Sequence, residues 1–199
     1  MAQNDKDKQG MRKLVLFMHV SLDGFAADPN RGLDFLSYDK ELEQYAEELV
    51  KTVGSPVYGR ITYQLMESYW PTVLKKPNAS GHALEHARWV ENVPKIVFSK
   101  TLTEVTWNNT RLIKDNIVEE VNKLKEQPGK DLAIFGSPGL ASTFMNLGLI
   151  DEYKLTVHPI ILGNGISAFT NNSRKNTLKL LESKTLKSGV ITLHYATTN

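Results

Sequence analysis

The chain contains no cysteine, which removes disulfides, thiolate nucleophiles and thiolate metal sites together. That usage suits a reducing compartment, and a cytoplasmic location is the expectation. No apolar run approaches the roughly 20 residues a membrane-crossing helix needs. The opening MAQNDKDKQG also lacks the apolar core of a signal peptide. Charge of one sign is missing too: 24 basic and 22 acidic residues leave a formal +2, scattered along the chain. There is no basic stripe of the kind that grips nucleic acid, so neither nucleic acid nor membrane is expected as a partner. A Walker-type loop, a G-x-S-x-G elbow and a G-x-G-x-x-G fingerprint are also absent.

What is present is an ordinary globular composition, 41% hydrophobic and 23% charged over 199 residues, enough for one domain with a real core. Residues 1–11 read as a disordered arm and 12–199 as a single domain. KLVLFMHV (13–20) is a nearly continuous apolar run, as expected of a strand covered on both faces, and Ser21-Leu22-Asp23-Gly24 ends it. From Asp39 to Val53, Leu42, Tyr45, Ala46, Leu49, Val50 and Val53 recur at helical spacing. Pro56-Val57-Tyr58 is a short strand, 70–81 a surface loop, about 82–92 a helix, and Lys95–Phe98 a third strand. Trp107-Asn108-Asn109 turns a hairpin or bend before Arg111–Ile113, and Ile117, Val118, Val121 and Leu124 mark a helix ended by Pro128-Gly129. Leu132–Phe135 is a buried strand, followed by a helix through Leu147. A long strand covers 153–162, and 178–187 with 189–196 forms a terminal antiparallel pair. Strand and helix alternate until strands dominate the end, so the fold class is α/β: a mostly parallel central sheet between helical layers, with an antiparallel C-terminal edge.

Strand ends carry polar or glycine-rich corners: Gly59-Arg60-Ile61-Thr62, Ser99-Lys100-Thr101 and Gly136-Ser137-Pro138-Gly139. Ligands of open α/β sheets sit beyond the carboxyl ends of strands. A strand that ends in glycine and opens a helix presents bare N–H groups and the positive end of a dipole to phosphate. Arg60 and Lys100 add charge; Thr62 and Ser99 add hydroxyls. Any one corner alone is more simply a turn, but together they have the parts of a multi-phosphate site.

In this order the corners resemble the dihydrofolate-reductase-like superfamily, and most closely the reductase domain of the riboflavin-biosynthesis bifunctional deaminase–reductase with its stand-alone relatives. The matching stretches are Ser21–Gly24, Gly59–Met66, Lys95–Leu102 and, longest, Phe135 through Tyr153, continuing to Pro159 and Leu162-Gly163-Asn164-Gly165. The resemblance spans about 12–196, with 136–165 its most specific piece. It implies a dihydrofolate-reductase-like three-layer fold and NADPH as cofactor. Arg60 and Thr62 beside Gly59 would contact the 2′-phosphate and pyrophosphate, Ser99 and Lys100 the adenosine phosphate, and Gly136, Ser137, Gly139 and Leu140 would cradle the pyrophosphate. Riboflavin-type relatives also pair, so a homodimer is expected; the apolar 155–162 strand and the terminal pair have edges that need covering. One departure stands out: dihydrofolate reductases join two adjacent glycines here by a cis peptide, where this chain has Gly136-Ser137, and a cis bond to a non-proline residue costs about 3 kcal/mol.

Hydride transfer to C=N or C=O needs proton handling at the heteroatom. Dihydrofolate reductases use a carboxylate of the first helix; here Asp39 and Glu43 border the apolar stripe, and Asp23 ends the first strand. Asp39 is equally a helix cap, Glu43 a solvated charge and Asp23 a turn, so the catalytic acid stays open among the three. His82-Ala83-Leu84-Glu85-His86 fits the H-x-x-E-H zinc motif, but so short a pattern arises by chance, and no metal is expected. His19 and His194 read as packing positions, and His158 as lining the sheet edge. Tyr63, Tyr69 and Trp70 form either a substrate wall or core filling. The reading is an NADPH-dependent reductase of a small flat heterocycle, pteridine- or aminopyrimidine-like. The rivals are a non-catalytic NADP-binding module and, remotely, a zinc hydrolase through His82, Glu85 and His86.

Overall fold

The computed structural model describes residues 10–198, so residues 1–9 of the expected arm lie outside the described residues. The first strand, β1 (Leu14–Ser21), is buried on both faces, which is why its apolar run does not alternate. It leads to the short β2 (Phe25–Ala27), then α1 (Lys40–Thr52), β3 (Val53–Gly59), α2 (Arg60–Val73), α3 (Gly81–Asn92), β4 (Lys95–Phe98) and β5 (Thr110–Ile113). The chain continues as α4 (Ile117–Glu126), β6 (Asp131–Phe135), α5 (Pro138–Asn146), β7 (Glu152–His158), β8 (Ile166–Ser167), β9 (Leu178–Thr185) and β10 (Ile191–Thr197).

Eight strands form one sheet in the order β5-β4-β3-β6-β1-β7-β10-β9, while β2 and β8 pair separately. From β5 to β7 every pairing is parallel, and β10 and β9 are antiparallel. The antiparallel edge is therefore where the terminal strand pair was expected. On one face Leu14, Leu16, Met18, Val57, Ile96, Leu132 and Ile134 pack against α4 and α5 through Val121, Leu124, Ala141 and Phe144. On the other, Val15 and Phe17 meet Leu49 of α1, and Tyr58 and Val97 meet Tyr63 of α2 and Val90 of α3. Helices thus cover both faces, giving three layers.

Several boundaries differ from the sequence expectation. The α2 helix runs on through Trp70 and Pro71 to Val73, so the loop begins later than residue 70. Buried Val73 and the stacking of Trp70 on His86 hold this last turn against the helix-breaking tendency of proline. The strand expected over 153–162 stops at His158, because Pro159 has no N–H to give the ladder. The residues after Trp107 form a bend, since β4 and β5 are parallel.

Two glycine-bearing turns that are far apart in sequence meet beyond β1 and β7. Asp23 accepts hydrogen bonds from the N–H groups of Leu162 (3.1 Å) and Gly163 (2.7 Å), and from the Ser21 hydroxyl (2.6 Å). A Cβ on Gly165 would lie 2.3 Å from the carbonyl oxygen of Ala27, so the β2–β8 pairing admits only glycine there.

Candidate active site

The carboxyl ends of β4, β3, β6, β1 and β7 lie side by side in that order, which lines up Ser99, Gly59, Gly136, Ser21 and His158 along one edge. Gly59 ends β3 and caps α2 with no side-chain hydrogen bond, so the first amides of α2, including that of Thr62, have no intrahelical partner. The α5 helix also starts without a side-chain cap; Pro138 has no N–H, leaving those of Gly139 and Leu140 as its open donors. The two helix starts touch: the Gly59 N–H donates to the Ser137 hydroxyl at 3.1 Å. A Cβ on Gly59 would come within 3.4 Å of the Leu140 Cβ, while one on Gly136 or Gly139 would meet nothing within 4 Å. The backbone is bare where a phosphate could approach.

Gly136 (φ 57°) and Ser137 (φ 49°) are both left-handed, joined by a trans peptide. Ser137 is buried, and its bond from Gly59 is what holds a non-glycine residue in this conformation. Arg60 and Lys100 are exposed. The ion pairs among the described residues use Lys13, Arg111, Lys123, Lys125, Lys187, His82 and His194, so Arg60 and Lys100 are both unpaired. The Ser99 hydroxyl accepts from the amides of Thr101 (3.2 Å) and Leu102 (3.1 Å) and so shapes its own turn. Lys100 lines a recess of about 420 Å³ shared with Asn116 and the uncapped start of α4. A groove of about 620 Å³ lies at the opposite ends of β4 and β5, lined by Arg12 and Lys95, but both cations are already bonded to protein groups.

Next to these corners, on the α1–α3 side of β1 and β6, aromatic rings form a closed circuit. Phe17 meets His19 (4.9 Å between centroids), His19 meets Tyr38 (6.2 Å), and Tyr38 meets His82 (5.9 Å). His82 meets His86 (6.5 Å), His86 meets Phe135 (6.4 Å), and Phe135 returns to Phe17 (5.9 Å). Flat heterocycles stack on such surfaces. His86 is stacked on Trp70 at 4.2 Å, and burial, then neighbouring His82, pulls its pKa down to about 4. His82 bonds Glu47 at 2.9 Å and the Tyr38 hydroxyl at 3.3 Å. Burial, then the carboxylates of Glu43 and Glu47, raises the Tyr38 pKa to about 12.

The structure separates the three carboxylates. Asp39 caps α1, accepting the Leu42 N–H at 2.9 Å, and this bond foremost lowers its pKa. Asp23 ties the loops after β1 and β7, its pKa lowered foremost by the Ser21 hydroxyl. Glu43 is half-buried near Tyr38, and its carboxylate has no hydrogen-bond partner among the described residues. The H-x-x-E-H residues do not converge: Glu85 is exposed, His86 packs between Trp70 and Trp89, and no group of three or more His, Asp or Glu among the described residues is arranged for a metal. Of the expected aromatic group, Tyr63 is core, its hydroxyl accepting the Trp107 N–H at 3.0 Å, whereas Trp70 backs the ring circuit.

Sequence reasoning missed His19, Thr156 and His158. These side chains share the α1-side face at the ends of β1 and β7, with Thr156 and His158 fully buried. The available signal was a polar residue, His19, at the end of an apolar strand, and a histidine halting β7 before Pro159. Among the described residues, no helix is long and apolar enough to cross a membrane.

Comparison with known proteins agrees with this geometry. Among solved structures, a protein of Shewanella sp. PV-4 assigned provisionally to riboflavin biosynthesis superposes with a TM-score of 0.75 at 22% identity, over 94% of this chain and 99% of that one. Dihydrofolate reductase of Enterococcus faecalis, complexed with NADP(H), superposes with a TM-score of 0.61 at 13% identity, over 95% of this chain and 99% of that one. The fold is dihydrofolate-reductase-like. The uncharacterized protein YyaP of Bacillus subtilis is 35% identical over 184 residues, 92% of this chain and 94% of its own length. The family model of the RibD C-terminal domain matches residues 12–192, and the chain belongs to that family.

Proposed function

We propose that the protein is an NADPH-dependent reductase of a small, flat heterocycle, pteridine- or aminopyrimidine-like. The observation that carries this reading is the Gly59–Ser137 contact, which sets two uncapped helix starts side by side with an unpaired Arg60 on one of them. A pyrophosphate needs several convergent N–H donors and no Cβ in its path. Gly139 and Leu140 offer the open N–H groups, Gly136 and Gly139 leave no Cβ in the way, Ser137 shapes the turn between them, and Thr62 adds an amide and a hydroxyl. Arg60 reaches the 2′-phosphate, and Ser99 with Lys100 the adenosine end. When bound, reduced nicotinamide supplies a hydride.

The chain supplies the rest. Phe17, Phe135 and the rings around them hold a flat acceptor at the carboxyl ends of β1 and β6. Glu43, the candidate carboxylate with no hydrogen-bond partner among the described residues, passes a proton inward through water. Membership in a family of NADPH-dependent reductases supports turnover over the alternative of a non-catalytic NADP-binding module. We also propose a homodimer, supported by the uncovered edge strand β9, whose Leu180 and Leu181 are exposed. The test of function is NADPH consumption by purified protein across pterins, pyrimidines and quinones. Saturable turnover with a flat heterocycle is expected; NADPH binding without turnover of any acceptor would favour the binding module.

A further inference from the structure

A directed chain of hydrogen bonds ends at the ring circuit. The backbone N–H of Ser37 donates to His158 Nδ1 at 3.1 Å. An amide can only donate, so Nδ1 of His158 is an acceptor and the proton of this neutral ring sits on Nε2. That Nε2–H faces the Thr156 hydroxyl at 3.3 Å. Thr156 is fully buried, and beyond His158 its hydroxyl has one partner among the described residues, His19 Nδ1 at 2.5 Å. The hydroxyl accepts from His158, so its single proton goes to His19 Nδ1. His19 therefore carries its own proton on Nε2. That nitrogen has no hydrogen-bond partner among the described residues, and the half-buried His19 ring stands edge-on to Phe17 and Tyr38 of the circuit.

We propose that His19 is a catalytic hydrogen-bond donor, its Nε2–H holding the oxygen or nitrogen of the C=O or C=N bond being reduced, with Thr156 and His158 as the positioning residues that fix its tautomer. This deepens the reductase reading and rests on it. The substrate class narrows to flat molecules that present an acceptor, rather than an amino group, to the β1–β7 side of the site. A bound reduced nicotinamide would supply hydride to carbon, and the electron pair of the double bond would then collect on the heteroatom held by His19. Water, reached through Glu43, supplies the proton. His19 keeps its own, because replacing it along the chain would strip His158 of its only ring proton. A neutral imidazole suits this role: it polarises the acceptor without requiring a cation in a buried cluster. Burial, and then the second ring, pull the His19 pKa down to about 3, and burial lowers that of His158.

The test uses ring-nitrogen NMR of the intact protein at neutral pH, alone and with 1,4-naphthoquinone, a flat probe with carbonyl acceptors, alongside NADPH consumption with the same probe. Both His19 and His158 should be neutral Nε2–H tautomers, and the probe should shift the His19 Nε2–H signal. Thr156→Val should leave the His158 tautomer in place but let His19 become a mixture, while Thr156→Ser should keep the wild-type pattern. His19→Phe should lower kcat at least tenfold with KM for NADPH unchanged, the scale of losing one preorganised donor. A Nδ1–H tautomer at His19, or undiminished kcat in His19→Phe, would overturn the assignment. If wild-type protein oxidises no NADPH with any flat acceptor, the reductase reading fails. The His19 assignment is then decided by the ring signals and their response to the probe.

Discussion

Arg60 offers the sharpest test of cofactor choice. It is the first residue of α2, exposed and in no ion pair among the described residues, beside an amide terminus that lacks a cap. NADPH differs from NADH by a 2′-phosphate, which a guanidinium grips through paired, charge-assisted hydrogen bonds. Such a bond contributes about 1.5–3 kcal/mol, so Arg60→Ala should weaken NADPH binding roughly ten- to a hundredfold. Solvent exposure and salt favour the lower part of that range. Because Arg60 pairs with no carboxylate among the described residues, removing it should leave stability within about 0.5 kcal/mol of wild type, so lost affinity cannot be blamed on unfolding. NADH should bind both proteins alike. The assay is calorimetric titration of each cofactor against wild type and variant at fixed ionic strength, with a thermal melt as control. Equal weakening of both cofactors, or of neither, would refute the 2′-phosphate assignment, and a wild type that binds neither would remove the reductase reading itself.

Replacing Ser137 with Ala leaves the Gly59 N–H without its acceptor and keeps a Cβ at φ 49°. It should cost roughly 1–3 kcal/mol, lowering Tm by about 2–12 °C, whereas Ser137→Gly, at ease in that conformation, should lose less. Glu43→Gln should lower kcat while leaving NADPH affinity unchanged; equal activity would return attention to Asp39 and Asp23. The His86 pKa is depressed from 6.5 to about 4, so the unfolded chain binds its proton more readily than the native one. Stability from this ring is therefore full above about pH 6.5 and is lost as pH falls toward 4, and urea midpoints should drop across that window less steeply in His86→Phe. Sedimentation equilibrium at micromolar concentration should return a dimer mass; a monomer would remove the proposed pairing.

Local order carried most of the fold. Helical spacing from Leu42 to Val53, the apolar run through β1 and the glycine punctuation at 136–139 depend on short-range sterics and on which face must leave water. They were legible without coordinates, and so were the three corners. The errors fell where tertiary contacts overrode local preference, as when the packing of Trp70 and Val73 carried α2 past Pro71.

The sequence by itself determined that a mostly parallel sheet would present glycine, hydroxyl and cationic corners, because each corner is a contiguous stretch whose turn and helix start are set by neighbouring residues. It did not determine what those corners meet. The Gly59–Ser137 bond joins residues far apart in the chain, made neighbours only because β6 inserts between β3 and β1. Asp23 and Asp39 had the chemistry of an acid, and only the folded contacts show them engaged in a turn and a cap. The Ser37–His158–Thr156–His19 chain is the clearest case: its direction comes from one backbone amide in a loop, acting across the parallel pairing of β1 with β7. No spacing along the sequence encodes that order, because hydrogen-bond direction is settled by which donors and acceptors the fold encloses together.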